Sequence, residues 1–151
     1  MPPRPSSRPS RPRPDDVPGL PARRAALRLL DAVLRRGEPL ELALHGAAQG
    51  LPREDRALTH AIAAEVLRHL PDLDALIDGA TRQILPDDAK ARMVLRIALA
   101  QTLRMDTPPH AAIATALPLV DGGPRKLVHG VFGTVTRGQP ALPDPPTLPA
   151  E

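Results

Sequence analysis

The placement of proline constrains this chain more than any other feature of its sequence. Of 21 prolines in 151 residues, eight fall within residues 1–21 and five within residues 138–151. The other eight are spread through the middle, and nearly all of them directly precede a stretch with helical character. Because proline is tolerated in the first turn of a helix and disrupts its interior, this distribution predicts a helical core between two proline-rich ends.

The intervals between the central prolines predict seven helices. They run approximately over residues 22–36, 40–49, 52–70, 72–85, 87–105, 109–120 and 124–137. Pro118 lies inside one of these segments, where it predicts an early end or a kink. No stretch alternates with period two, and Phe132 is the only aromatic residue, so a β-sheet is not expected. The predicted fold class is all-α, a single compact bundle of about seven helices.

Hydrophobic periodicity gives the first and fifth helices different places in this bundle. In the first helix, apolar residues recur with the one-sided spacing of a helix that lines a core. These residues are Ala26, Leu29, Leu30 and Val33. In the fifth helix, apolar side chains surround the axis almost completely between Met93 and Leu103. That pattern predicts a helix at the centre of the bundle, with Leu99 as one of its buried residues.

The two ends are predicted to lie outside the folded domain. Residues 1–21 carry four arginines against two aspartates and very few apolar residues, which predicts a disordered Pro/Arg-rich arm. Residues 138–151 are predicted to form an extended Pro-rich linker. The expected domain organisation is therefore an arm at 1–21, a helical domain at 22–137 and a linker at 138–151.

The sequence offers little that is typical of a catalytic or cofactor site. Cysteine is absent, which excludes disulfides, thiolate metal sites and cysteine nucleophiles. There is no glycine-rich phosphate or dinucleotide motif, and the five histidines form no metal-ligand motif. We therefore expect no cofactor, metal or catalytic residue. No apolar run has the length of a membrane span or signal peptide, so a cytoplasmic protein is expected.

Two further patterns are interpreted as structural. The acidic pairs Glu54-Asp55 and Asp87-Asp88 stand at predicted helix N-termini, where carboxylates oppose the helix dipole. Gly130 and Gly133 are one helical turn apart, and we expect them to let two helices approach closely.

The basic residues are the main functional signal. Lysine and arginine outnumber aspartate and glutamate by 20 to 17, and arginine supplies most of the positive charge. Such a surface suits a polyanionic partner, although a solvated helix face would look the same. The candidate phosphate-binding residues are Arg23, Arg24, Arg28, Arg35 and Arg36 in the first helix and Arg125 and Lys126 near the last.

Several segments, taken together in order and spacing, resemble NusB-like domains. They are ARRAALRLLDAV (22–33), LPREDRAL (51–58), EVLR (65–68), LD (73–74) with Ile77, LRIALAQTL (95–103), PPHAAI (108–113) and KLVHGV (126–131). Within that superfamily, the PPHAA segment is similar to the N-terminal domain of bacterial 16S rRNA cytosine-C5 methyltransferases.

This resemblance implies a seven-helix bundle that binds RNA through its arginine-rich first helix. In antitermination factors it also implies a small-subunit ribosomal protein as partner. In the methyltransferases it implies an accessory rRNA-binding domain, the chemistry lying in a separate Rossmann-type domain. The chain departs from the family at His129, where Asn is usual, and at Phe132-Gly133, where Leu-Arg is usual. Cytosine-C5 methylation needs a cysteine thiolate, so this chain is not expected to be an enzyme by itself.

Three functions remain open from the sequence. The chain is the accessory rRNA-binding domain of a 16S rRNA cytosine-C5 methyltransferase, a free-standing antitermination factor that binds RNA with a ribosomal protein, or a helical interaction module without RNA binding. The reading frame beyond Glu151 and a pull-down of the ribosomal protein distinguish the first two. RNA binding over a salt series tests the third.

Overall fold

The computed structural model describes residues 17–148, in which all regular secondary structure is helical. The helices are α1 (Leu20–Leu34), α2 (Leu40–Ala47), α3 (Arg53–Arg68), α4 (Leu70–Gly79), α5 (Lys90–Arg104), α6 (Pro109–Ala116) and α7 (Gly123–Arg137). A short 3₁₀ turn, Leu117–Leu119, follows α6. The all-α prediction is confirmed, and so is the early end expected at Pro118, because α6 stops just before the turn that contains it.

The N-terminal boundary lies earlier than predicted. Helix α1 begins at Leu20, which is fully buried, and Val17 packs against the core. Pro21 occupies the first turn, where its missing N–H group costs nothing. Residues 17–21 therefore belong to the bundle, while the rest of the predicted arm lies outside the described residues.

The boundaries around α4 and α5 also differ from the prediction. Helix α4 ends at Gly79, well before residue 85, and α5 begins at Lys90. Asp87 and Asp88 consequently sit in a turn before α5 and not in its first turn, so that prediction was wrong. The matching prediction for Glu54 and Asp55 is confirmed, since both lie in the first turn of α3.

Helix α5 is the centre of the bundle, as predicted. Every residue from position 91 to position 101 is buried, Leu99 completely. Helices α1, α3, α4, α6 and α7 all pack against it. The buried set also contains Arg92, Arg96 and Gln101, which the apolar pattern did not single out.

The two buried arginines are paired with carboxylates of α4. Arg96 makes a two-pronged contact with Asp74, at 2.8 Å from Nε to Oδ1 and 2.9 Å from Nη2 to Oδ2. Arg92, only 1% exposed, donates to Asp78 at 2.6 Å and also to the Leu85 carbonyl. Burial alone would lower the pKa of Arg92, but the two aspartates outweigh it and the pKa is raised. This network ties α4 and the following loop to α5.

The prediction that Gly130 and Gly133 bring two helices together was wrong. Gly130 is exposed, and no atom lies within 4 Å of the place where a Cβ would stand. The nearest atom at Gly133 belongs to Arg137 of the same helix, 2.9 Å away. Neither glycine marks a helix–helix contact.

Residues 138–148 contain no regular helix, in keeping with the Pro-rich composition. They nevertheless contact the bundle, which the sequence did not indicate. Leu142 is 8% exposed and joins the hydrophobic core, and the Thr147 N–H donates to the Asp72 carboxylate on α4.

Candidate nucleic-acid interface

Helix α1 presents a row of arginines on the side away from the core. Arg24, Arg28, Asp31 and Arg35 follow one another at intervals of three or four residues, which places them along one face of an α-helix. The opposite face, with Leu29 and Leu30, is fully buried. We call Arg24, Arg28, Arg35 and the adjoining Arg36 the arginine stripe. The last three of these are exposed, and Arg24 is half-buried.

Arg23 points away from this stripe. Its Nε donates to Gln101 Oε1 at 2.9 Å, and its Nη1 donates to the Gly19 carbonyl at 3.3 Å. Burial lowers the pKa of Arg23, and the nearby charge of Asp55 partly offsets this. Gly19 has a φ of 83°, and a Cβ there would lie 2.6 Å from Arg23 Nη1. The absence of a side chain at Gly19 therefore leaves room for the guanidinium. The prediction that Arg23 is a phosphate-binding residue of the surface does not agree with these contacts, because Arg23 donates hydrogen bonds within the bundle.

Two neighbouring grooves meet at Arg28. One, of about 380 Å³, lies between α1 and the α2–α3 connection and is lined by Arg24, Arg28 and Gln49 among others. The second, of about 340 Å³, lies between α1 and α2 and is lined by Arg28, Arg36 and the exposed Leu42. The stripe therefore places its cations along two adjoining surface grooves.

Two carboxylates lie within the stripe. Asp31 Oδ1 is 3.6 Å from Arg35 Nη1, and Glu38 Oε2 is 3.1 Å from Arg36 Nη2. The two arginine side chains remain 58% and 63% exposed. Exposed pairs of this kind contribute little to stability, so a phosphate can take over the guanidinium at low cost. Arg28 forms no ion pair with any residue in the range 17–148.

The structure adds Lys90 and Gln49 to the site, and the sequence analysis missed both. Lys90, the first residue of α5, lines a groove of about 260 Å³ together with Arg28 and Arg35. Gln49 follows α2 and reaches the groove that contains Arg24. A basic residue at the start of the central helix was a visible signal for Lys90. Gln49 had no such signal, because its position depends on how α2 packs against α1.

The second predicted group is separate from the stripe. Arg125 and Lys126 are exposed in the first turn of α7, and Arg125 Nε donates to the Val120 carbonyl at 3.2 Å. Helices α1 and α7 each pack against α5 and α6 and not extensively against each other. None of the three grooves described above is lined by Arg125 or Lys126. The seven predicted residues therefore form two groups, with Arg23 outside both.

The histidines are dispersed. His60 Nε2 lies 2.9 Å from Glu41 Oε1 on the surface, while His69 is buried between α3 and α4. Across the part of the chain that the structure describes, no group of three or more His, Asp or Glu side chains is arranged to hold a metal ion. Within the same residues, none of the helices combines the length and the hydropathy needed to cross a bilayer.

Comparison with known proteins gives a family and a fold. The model of the NusB family matches residues 20–137. A curated relative, ribosomal RNA small subunit methyltransferase B of Xanthomonas campestris pv. campestris, is 37% identical over 134 residues. That match covers 83% of this chain, and the chain spans 30% of the length of the relative.

Two solved structures share the fold at 18% sequence identity. One is a chain in the crystal structure of a plectonemic RNA supercoil, with a TM-score of 0.72 over 80% of this chain and 94% of that chain. The other is a chain in the crystal structure of antitermination factors NusB and NusE in complex with dsRNA, with a TM-score of 0.69 over 79% and 96%. At this level of identity the likeness establishes the architecture.

Proposed function

Because the chain belongs to the NusB family, we propose that it binds RNA through the arginine stripe of α1, as the accessory rRNA-binding domain of a small-subunit rRNA methyltransferase. The observation that carries the proposal is the placement of Arg24, Arg28 and Arg35 along two surface grooves that share Arg28. The 37% identity to ribosomal RNA small subunit methyltransferase B supports the choice of rRNA as the ligand. Binding to rRNA would place the protein in the cytoplasm.

The stripe is suited to the phosphate backbone more than to the bases. Guanidinium groups donate two parallel hydrogen bonds to phosphate oxygens, and each neutralised phosphate releases counterions. Among residues 17–148 the single Phe, Tyr or Trp is Phe132, and it is buried, so none of these three ring types is exposed there for a base to stack on. We infer that this part of the chain recognises the course of an RNA backbone and leaves sequence selection to other contacts.

In this proposal the chain contributes binding and another domain contributes the reaction. Methylation at cytosine C5 requires a cysteine nucleophile, and this sequence contains none. The relative has more than twice the length that the chain spans, which leaves room for a catalytic domain in a protein of that kind. Cytosine C5 as the modified atom is part of the proposal.

A salt series with two matched variants tests the RNA-binding role. Arg28→Glu should weaken binding to small-subunit rRNA fragments and reduce the slope of log affinity against log salt by about 0.7–0.9 for each phosphate that the variant no longer neutralises. Arg82→Glu makes the same charge change at an exposed position in the α4–α5 loop and should leave the slope unchanged. If both variants change the salt slope equally, the stripe contributes only to the net charge of the domain and is not a specific contact with RNA.

A second candidate is a free-standing antitermination factor that binds RNA with a small-subunit ribosomal protein. It is favoured by the likeness to a chain in the NusB–NusE–dsRNA structure, 96% of which is matched. A stable ternary complex of this chain, RNA and the ribosomal protein would favour this candidate over the first. If the wild-type chain binds neither small-subunit rRNA fragments nor the RNA of such a ternary complex, the remaining hypothesis is an interaction module without RNA binding.

A further inference from the structure

The segment after α7 turns back onto the bundle. Gly138 and Gln139 donate their N–H groups to the carbonyls of Val135 and Thr136, at 3.1 Å each, and Gln139 adopts a φ of 49°. The chain then inserts Leu142 into the core, where 8% of its surface is exposed. We call residues 138–148 the C-terminal strap.

A second anchor holds the far end of the strap. The backbone N–H of Thr147 donates to Asp72 Oδ2 at 3.0 Å. Asp72 stands in the first turn of α4, directly after residues 67–71, which we call the α3–α4 junction. The hydrogen bonds from Thr147 lower the pKa of Asp72, the direction expected when a carboxylate accepts hydrogen bonds in its charged form.

The strap and the junction line an open, largely apolar groove beside the second anchor. Its volume is about 410 Å³, and its apolar walls come from both sides. The junction contributes Leu67, Leu70 and Pro71, and the strap contributes Pro145, Pro146 and Leu148.

The proline content of the strap favours this docking. Pro140, Pro143, Pro145 and Pro146 restrict the free segment to few conformations, so less conformational entropy is lost when it docks. The composition that predicts an extended linker therefore also favours a strap that is held in one place.

The strap groove is linked to the arginine stripe through Leu70. Leu70 lines the strap groove and also lines a second groove whose walls include Leu34 and Arg35. The junction is therefore adjacent to the Arg35 end of α1.

We propose that the C-terminal strap docks on the α3–α4 junction in solution and fixes the exit of the chain at this junction, which Leu70 connects to the Arg35 end of the arginine stripe. The functional part of this inference rests on the proposed RNA-binding role. If the stripe holds an RNA backbone, a catalytic domain joined after the strap would start from a fixed point on the surface of the RNA-binding domain and not at the end of a free tether. A shortened tether raises the effective concentration of one domain at the ligand of the other.

The exchange rate of the Thr147 amide tests the docking directly. In the full chain without RNA, this amide should exchange at least about ten times more slowly than a free amide, because its acceptor is a charged carboxylate. Asp72→Ala should abolish the protection. The control Asp121→Ala removes a carboxylate from the exposed loop before α7 and should preserve it. Free exchange of the Thr147 amide in the wild-type chain would overturn the proposal.

A spin label tests where the strap ends. The chain has no cysteine, so Leu148→Cys gives a single labelling site; although Leu148 lines the edge of the groove, 85% of it is exposed, so its replacement removes little of the contact. A nitroxide there should broaden the amide signals of Leu67 and Leu70, which line the same groove, more strongly than those elsewhere in the domain. Leu142→Asp, which removes the first anchor, should eliminate this broadening. Weak broadening spread over the whole surface of the wild-type chain would contradict the proposed position.

The two proposals fail in different ways. A protected Thr147 amide in a chain that does not bind rRNA fragments leaves the docked strap standing and removes the RNA-binding role. An unprotected Thr147 amide in a chain that binds RNA through Arg28 overturns the docking of the strap and leaves the RNA-binding role of the stripe standing.

Discussion

Helices α1 and α5 each carry a pair of arginines four residues apart, and the two pairs have opposite environments. Arg24 and Arg28 on α1 line surface grooves. Arg92 and Arg96 on α5 are almost completely buried. Both helices are 15 residues long, so neither the spacing nor the length of the helix decides where the arginines lie.

The difference comes from the carboxylates within reach. Asp74 and Asp78 are themselves four residues apart on α4, and α4 packs against α5, so each buried guanidinium meets an acid at 2.6–3.2 Å. On α1, Asp31 is 3.6 Å from its arginine and the pair is exposed. A buried guanidinium with fixed partners holds the fold together, and an exposed one remains available for a phosphate.

Removing Asp74 should have the largest effect, because it breaks the buried side of the comparison. Asp74→Ala leaves Arg96 without a carboxylate and Arg92 with Asp78 alone. We expect a decrease of about 3 kcal/mol in the free energy of unfolding, the lower end of the range for a broken buried pair because Asp74 is 24% exposed. Urea denaturation followed by circular dichroism measures it.

The control for this experiment is Asp121→Ala, at an exposed loop position. It should change the free energy of unfolding by no more than about 0.5 kcal/mol. If Asp74→Ala lowers the free energy of unfolding no more than Asp121→Ala does, water can replace the carboxylate partner of the α5 arginines. The contrast between α5 and α1 then disappears.

Arg23→Ala should have the second-largest effect, and it distinguishes the inward-facing arginine of α1 from those of the stripe. It leaves the buried Gln101 Oε1 without its donor, which should cost about 1–3 kcal/mol of unfolding free energy. Because its guanidinium faces inward, the salt dependence of RNA binding should stay as in the wild type. Arg28→Ala should show the reverse, a free energy of unfolding within about 0.5 kcal/mol of the wild type and a reduced salt slope. A reduced salt slope of RNA binding for Arg23→Ala would show that Arg23 belongs to the interface after all.

The inward turn of Arg23 and the burial of Arg92 and Arg96 both left signals in the sequence. Arg23 stands four residues before Leu27 and seven before Leu30, on the apolar side of α1. Two arginines four apart inside an otherwise apolar helix, preceded by two aspartates four apart on another, indicate a buried ionic network. The number of helices and the central place of α5 were predictable because proline positions and apolar saturation are local properties.

The end of α4 was not predictable in the same way. Residues 80–89 contain no helix in the structure, and the Leu85 carbonyl accepts hydrogen bonds from Arg92 at 2.6 and 3.1 Å. Leu85 and Arg92 are only seven residues apart, but Asp74 and Asp78 of α4 hold the same guanidinium, and a local helix pattern does not show that arrangement. The docking of Leu142 and Thr147 was not predictable either, since Thr147 and its partner Asp72 are 75 residues apart.

Asp31→Asn should have the smallest effect and should sharpen the comparison from the exposed side. Asp31 lies between Arg28 and Arg35 on the stripe, so its negative charge opposes an approaching phosphate. Because an exposed ion pair contributes about 0.2–1 kcal/mol, its removal should tighten RNA binding by up to about fivefold near 0.1 M salt. The gain should disappear at 1 M salt, where screening acts within about 3 Å.

Asp106→Asn is the matched control for this last measurement. Asp106 is exposed after α5, and its φ of 56° is one that asparagine accepts readily. It removes the same negative charge at a position away from the stripe, so the affinity for RNA should change less than with Asp31→Asn. If Asp31→Asn leaves affinity unchanged at low salt, Arg35 does not face the bound RNA, and the interface is confined to the groove around Arg24 and Arg28. A tightening specific to Asp31→Asn extends the interface along the full length of α1.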